Sequence, residues 1–558
     1  RISVRAGRAC LPCACPWRSS MDSKQTAAFV RREWTENVIP SLMDFVRIPN
    51  VSPAFDEAWD TNGLQMQAFE LVTEWAKAQN IEDCKIELLK EAGRTPLLIM
   101  EIEARDSEQT CMLYAHIDKQ PPMGVWMEGL GPYDPAVKEG KLYGRGAVDD
   151  GYGFYCAITS IKAIQAQGLP CPRIVMLFEG CEESGSRDLP YYMDKLSTRI
   201  GEPDLICCLD AGCGNYEQLW MTTSLRGNIA VNLTVEVMAE GAHSGTSSGI
   251  VPSSFRICRE LLSRIEDEKT GLIVPKEFYV EVPPSRVQQV TVAADILGDV
   301  VVRQFPFVQG AHPVAKDASI SEHVLARTWR PALSVTGCDG LPATRIAGNV
   351  MLPFTKLKMS MRLPPTLDAT HAAQSLERIL TSDPPQGARI TLEKVAVGNG
   401  WHAPLEAEWL NQAVHTASLT YFDKTCAHMG EGGSIPFMGM LLDMFPKAQF
   451  LVTGAAGPGS NMHAPNEFLH IDYSARLAMC VAQVVATLAT KKPGESSSEG
   501  GAAADAPDRK SFVQSFKRSG GNGIFFVGCD CGTTGCVIFD QGKEMGFCPP
   551  VKAAKVAA

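Results

Sequence analysis

Four short clusters of acid and imidazole side chains, all between residues 112 and 210, carry the chemistry available to this chain. Tyr114-Ala115-His116-Ile117-Asp118 closes an apolar run that starts at Cys111. Gly144-Arg145-Gly146 leads into Asp149-Asp150-Gly151. Glu179-Gly180-Cys181-Glu182-Glu183-Ser184-Gly185 follows the run Arg173 to Phe178, and Asp210 follows Leu205 to Cys208. Apolar runs of this length read as strands buried on both faces. In an open α/β sheet, ligands sit beyond the carboxyl ends of such strands. Carboxylates and a histidine gathered there form a costly cluster unless a cation neutralises them. The chemistry implied is metal-assisted, with two ions.

Two ions need roughly eight ligand atoms, and one bridging carboxylate serves both. The candidate ligands are His116, Asp149, Glu183, Asp210 and a late histidine, His463. His463 lies in Gly459-Ser460-Asn461-Met462-His463-Ala464-Pro465, after the apolar run Gln449 to Thr453 and a Gly-rich turn. Each piece alone has a plainer reading. A lone histidine is usually a core or capped one, a Glu-Glu pair usually lies on the surface, and Asp149-Asp150 could cap a helix. The adjacent Glu182 and Glu183 have a physical logic of their own. Consecutive side chains point in different directions, so one carboxylate can face a metal while the other faces substrate.

Taken in order, His116-x-Asp118, Gly144-Arg145-Gly146 with Asp149-Asp150-Gly151, Glu182-Glu183-Ser184-Gly185, Asp210 and His463 resemble a known family. It is the dinuclear-zinc metallopeptidase family of cytosolic non-specific dipeptidase, carnosinase, aminoacylase and glutamate carboxypeptidase, and the resemblance spans roughly residues 25 to 491. It implies that His116 binds one metal and His463 the other. Asp149 would bridge them, with a cis peptide to Asp150, and Glu183 and Asp210 would complete the separate sites. Asp118 would orient His116. Glu182 would be the general base, taking a proton from the attacking water and passing it to the leaving amine. Zinc is the first expectation, while manganese or cobalt suits the same ligands.

The resemblance also implies substrate-handling residues. His243, in Gly241-Ala242-His243-Ser244-Gly245, would reach the active site of a partner subunit and stabilise the oxyanion, which implies a homodimer. Asn349 and Arg362 match positions that contact substrate carbonyl and carboxylate. Ser434, in Gly430-Glu431-Gly432-Gly433-Ser434-Ile435-Pro436, matches a loop whose amides take the C-terminal carboxylate. His402 is a weaker candidate. The expected activity is a dipeptidase-like exopeptidase acting on dipeptides or short peptides in the cytoplasm. The alternative is an N-acyl-amino-acid amidohydrolase of the aminoacylase type.

Composition sets the frame. At 558 residues the chain exceeds one usual domain. Its net charge of -11 argues against a nucleic-acid partner. No run of about 18 apolar residues predicts a membrane span, and Ile471 to Thr490, interrupted by Asp472 and Arg476, reads as an amphipathic helix. Nineteen scattered cysteines read as buried free thiols in a reducing compartment. No Gly-x-Ser-x-Gly elbow stands at a strand-to-helix turn, and no cysteine carries a nucleophile signature.

The elements that must position these residues suggest an α/β fold with a discontinuous catalytic domain. Its parts are 22–222 and 402–491, with a mostly parallel sheet flanked by helices. Helices are expected over 25–46, 62–79, 151–167 and 189–195, and strands near 84–89 and 97–102. Residues 223–401 read as an inserted, smaller α+β (ferredoxin-like) lid and dimerisation domain. There Asn228 to Val237, Thr355 to Arg362 and Ala388 to Val397 are strands, while 269–350 reads as irregular. Residues 1–21 read as a disordered extension and 492–510 as a linker. The tail 511–558 contains Val527-Gly528-Cys529-Asp530-Cys531-Gly532-Thr533-Thr534-Gly535, which resembles the first phosphate-binding hairpin of actin-like kinases.

Overall fold

The apolar runs form the centre of a six-stranded sheet. The computed structural model describes residues 21–435 and 437–492, and the backbone of the strands Gly523–Gly528, Thr534–Asp540 and Lys543–Cys548. In spatial order the main sheet runs Cys84–Leu89, Leu97–Ile102, Arg173–Glu179, Thr110–His116, Leu205–Cys208, Gln449–Val452. The last four pair in parallel, with His116 opposite Glu179 and Val452 opposite Cys208. Leu97–Ile102 pairs antiparallel on both sides, so the edge is a hairpin. The expectation of a mostly parallel sheet holds at the centre, where the site residues leave it. The inner strands are buried almost throughout, as their Leu, Ile, Val, Met and Cys content requires, while the edge strand Cys84–Leu89, with Lys85 and Glu87, is half-exposed.

Helices cover the sheet. Tyr152–Gln165 is buried along nearly its whole length and packs on Ile471–Leu488, where Ser160 Oγ donates to Ala478 O across the contact. By length and composition Ile471–Leu488 could cross a membrane, yet most of it is buried against neighbouring helices. Its Asp472 and Arg476 pair with each other at 2.7 Å on the open face. The expected first helix is broken in character: Ser23–Glu33 and Ile39–Val46 are joined by a π turn over Trp34–Val38.

A second body has its own core. Strands Ala332–Asp339, Phe354–Leu363, Gly227–Glu236 and Arg389–Gly398 form an antiparallel sheet in that order. Gly227–Glu236 alternates buried and half-exposed residues, the period of a sheet covered on one face. Helices Ser254–Leu262 and Ala369–Thr381 bury Ile257, Leu261 and Leu376 against Val231, Leu233, Met359 and Met361. The expectation that 269–350 is irregular is wrong. Pro284–Leu297, Val300–Arg303 and Ile320–Thr328 are helices, and Ala332 begins a strand. Pro284 misleads because it fills the first helical position, where a missing N–H costs nothing. These helices place Val290, Ala294, Leu297, Val301 and Val324 in the main core, not in that of the four-stranded sheet.

Residues 1–20 of the expected extension (1–21) and 493–510 of the expected linker (492–510) lie outside the described residues, as do 529–533 of the kinase-like hairpin. In the tail, the three strands form an antiparallel sheet by themselves.

Candidate active site

The candidate ligands stand at strand ends or in the turns and loops that follow strands. His116 is the last residue of its strand. Glu182 and Glu183 lie in a single 3-10 turn after Arg173–Glu179, and Asp210 comes two residues after Leu205–Cys208. Asp149 and its cis-linked neighbour Asp150 lie in the turn that enters Tyr152–Gln165. His463 sits at φ 61° in the loop between Gln449–Val452 and Phe468–His470. That loop is anchored by a close approach at Gly454, where an added Cβ would lie 1.7 Å from Ala211 O. No larger residue fits there, so the chain after Val452 is held against the segment that follows Asp210.

The five residues converge. His116 Nε2 lies 3.1 Å from Asp149 Oδ1 and 3.8 Å from Asp210 Oδ1. His463 Nε2 lies 2.8 Å from Asp149 Oδ2 and 3.4 Å from Glu183 Oε2. Asp149 is therefore shared, one oxygen toward each histidine. Possible ligand atoms of His116, Asp149 and Glu183 fall within 4.8 Å of one another, as do those of His116, Glu182 and Asp210.

Asp118 ties the site together. Its two carboxylate oxygens each accept an amide, from Glu182 N and from Glu183 N, both at 3.1 Å. The His116 ring nitrogen Nδ1 lies 3.4 Å from Asp118 Oδ1 and 3.1 Å from Asp118 O. One buried carboxylate thus fixes both the imidazole and the turn carrying the two glutamates.

The electrostatics are those of crowded acids. Burial pushes the Glu182 carboxyl well up, against the pull of His116 and with Glu183 and Asp118 adding to it. Burial likewise raises Glu183 and Asp210. Asp149 goes the other way: burial opposes its charge, but His116 and His463 hold it low. Burial disfavours a charged His463 too, yet hydrogen bonds to Asp149 and Glu183 push it up to about 11. Two acidic oxygens, Asp150 Oδ1 and Glu183 Oε1, are buried without a hydrogen-bond donor, and Asp149 Oδ2 faces the His463 ring nitrogen. A buried carboxylate oxygen lacking a donor is costly. Oxygens of this kind beside two imidazoles suit a divalent cation of the zinc or manganese type.

The other predicted residues fall into two groups. Arg362 Nη1 donates to Ser434 Oγ at 3.1 Å, and Ser434 Oγ donates to Arg226 O at 2.6 Å. The two are brought together across the junction of the two bodies. His243 and Asn349 are exposed and adjacent: Ser244 N donates to Asn349 O, and His243 pairs with Val350. Within the described residues neither bonds to the acidic cluster. His402 accepts a hydrogen bond from Arg286 Nε at 2.9 Å, and burial with that cation lowers it to about 4.

Sequence reasoning missed several supports. Gln120 Nε2 donates to Glu183 Oε2 at 2.5 Å. Asp150 Oδ2 accepts His116 N at 3.3 Å. Glu467 pairs with Arg145 and accepts Gly146 N and Val148 N, so it braces the loop that carries Asp149. The signal was present: Arg145 and Glu467 each lie four residues from a candidate ligand, and both had to be buried.

Residues 112–487 match the family model described as Peptidase family M20/M25/M40. The chain is 25% identical over 364 residues to Cysteinylglycine-S-conjugate dipeptidase of Corynebacterium striatum, covering 64% of this chain and 76% of that protein. It is 27% identical over 390 residues to Beta-Ala-His dipeptidase of Homo sapiens, covering 67% and 73%. Among solved structures, human carnosine dipeptidase 1 aligns with a TM-score of 0.69 at 18% identity, over 84% of this chain and 98% of that one. Dug1p from Saccharomyces cerevisiae aligns with a TM-score of 0.68 at 19% identity, over 85% and 100%. At such identities the solved structures speak for the fold alone. With a family match over most of its length and the acidic cluster inside it, the chain belongs to peptidase family M20/M25/M40.

Proposed function

We propose that this chain is a metal-dependent dipeptidase that hydrolyses dipeptides or short peptides with Glu182 as general base. The observation that carries the reading is the joint geometry around Asp118 and Asp149. One carboxylate is shared between two histidines, and the other sets the turn that presents Glu182 beside the ligands.

The distances sort the ligands into two groups sharing Asp149: His116 with Asp210, and His463 with Glu183. Each would hold one divalent ion, zinc first. When bound, the ions supply Lewis acidity toward the scissile carbonyl and toward the attacking water. The rest is done by the chain. Glu182, buried and raised well above the usual carboxylate range, accepts the water proton and delivers it to the departing amine. Asp118 keeps Glu182 in place through its amide. Arg362, with Ser434 holding its guanidinium, takes the C-terminal carboxylate.

His243 lies outside this constellation in its own chain, so we assign it to the active site of a second copy, where it stabilises the oxyanion with Asn349 beside it. The edge strand Arg389–Gly398 exposes Val395 and Val397, apolar residues that suit a homodimer contact. All twelve cysteines among the described residues are free, which suits a reducing cytoplasm.

Four outcomes are expected. With zinc or manganese, the enzyme cleaves unblocked dipeptides and leaves N-acetylated amino acids untouched. Glu182→Gln lowers kcat by about 100-fold or more while metal content by elemental analysis stays at the wild-type value; turnover only on acetylated substrates would move the reading to an amidohydrolase. Asp118→Asn weakens metal affinity by about 10- to 100-fold in chelator competition, and unchanged affinity would remove its orienting role. Mixing inactive His243→Ala with inactive Glu182→Gln subunits restores activity to mixed dimers. No recovery would mean that each chain supplies its own oxyanion group.

A further inference from the structure

A cavity of about 170 Å³, room for several waters, opens against the segment that follows Asp210 and the loop that precedes Ser434. Gly212, two residues past Asp210, forms part of its wall, and Glu431 another. Part of its wall is apolar, made of Leu297 at the end of the helix Pro284–Leu297 and of Val300 and Val301 from the short helix that follows. Into this cavity comes one cationic side chain, Arg327, from the helix Ile320–Thr328.

Arg327 is placed unlike its neighbours. Arg226 spends its guanidinium on the carbonyls of Gly432 and Arg330, and Arg362 donates to Ser434. Arg327 donates to the Met429 thioether at 3.2 Å, a weak acceptor. Among the described residues no carboxylate stands within ion-pair distance of it. Glu431 is the countercharge it feels, but Glu431 Oε1 is engaged by Gly212 N at 2.7 Å and Thr222 Oγ1 at 2.6 Å. Burial accordingly lowers the Arg327 pKa, with Glu431 opposing. A half-buried guanidinium with unused donors is poised for a bidentate carboxylate.

We propose that Arg327 is a specificity-determining residue, binding the side-chain carboxylate of an acidic amino-terminal residue in the substrate. This rests on the dipeptidase reading. The cavity offers a carboxylate, Glu431, and a guanidinium, Arg327. An amino-terminal aspartate or glutamate offers the matching ammonium and carboxylate, whereas a carboxy-terminal residue has no ammonium to give. The apolar wall accommodates the methylenes between them. The substrate's own C-terminal carboxylate goes to Arg362.

Glu-Ala and Gln-Ala have nearly the same shape and differ in charge, so they isolate the effect. The wild-type metal-loaded enzyme is expected to favour Glu-Ala in kcat/KM by at least about tenfold. Arg327→Met should abolish that ratio while leaving Gln-Ala turnover and the melting temperature near wild type, and Arg327→Lys should retain part of the ratio. A second arm measures binding of free L-glutamate and L-glutamine by calorimetry. Arg327-dependent preference for L-glutamate is expected. Turnover of both dipeptides with no Glu/Gln discrimination, or the same ratio in Arg327→Met, overturns the assignment and leaves the dipeptidase reading intact. If no dipeptide is cleaved while Arg327 still selects L-glutamate, the dipeptidase reading falls and the acidic subsite stands. If neither is seen, both fall.

Discussion

Acidic groups cannot be crowded into a protein interior without something to balance them, and this structure is organised around that constraint. Asp118, Asp149, Asp150 and Glu182 are all buried, with Glu183 and Asp210 beside them. In a low-dielectric setting each such charge costs several kcal/mol unless it is paired or hydrogen-bonded. The chain provides some partners itself. Asp118 has two amides, Asp150 has the His116 amide, and Glu467 behind them has Arg145. Oxygens of Asp150 and Glu183 are left over, and His463 alone reaches both Asp149 and Glu183. The cluster makes sense as a cradle for cations, and the surrounding fold is what keeps it from relaxing.

That fold works by placing many strand ends at one edge. Four parallel strands deliver His116, the Glu182–Glu183 turn, Asp210 and, through its following loop, His463. Rigid strands hold donors better than loops do, and the close contact at Gly454 extends that rigidity to the longest connection. The four-stranded body has a core of its own, so it can bring Arg362 to Ser434 without its packing depending on the cluster. The helices between Pro284 and Thr328 interrupt it to rejoin the main core, and so wall the space beside Asp210.

Much of this was legible in the residues, for reasons that can be named. The strand Leu97–Ile102 and the helix Leu189–Lys195 were expected at the bounds they have: an apolar run marks the first, and Pro190 in the first turn marks the start of the second. The convergence of the candidate ligands was legible because five motifs in order are hard to produce by chance. What escaped was tertiary. Pro283-Pro284 hid a helix, because composition does not say whether a proline ends a segment or begins one. The π turn at Trp34–Val38 leaves the apolar spacing nearly helical. Gln120 and Glu467 were overlooked because their partners lie 63 and 322 residues away. Arg327 had no motif at all; its meaning comes from the cavity and from what the neighbouring arginines already hold.

The central claim is that Asp149 is shared between two cation sites. Metal stoichiometry by elemental analysis of wild type and Asp149→Ala, each purified and saturated with zinc, addresses it directly. The account predicts two ions per wild-type chain and loss of both in the variant, with the fold retained by circular dichroism. One ion in the wild type, or one ion still bound after the substitution, would contradict it.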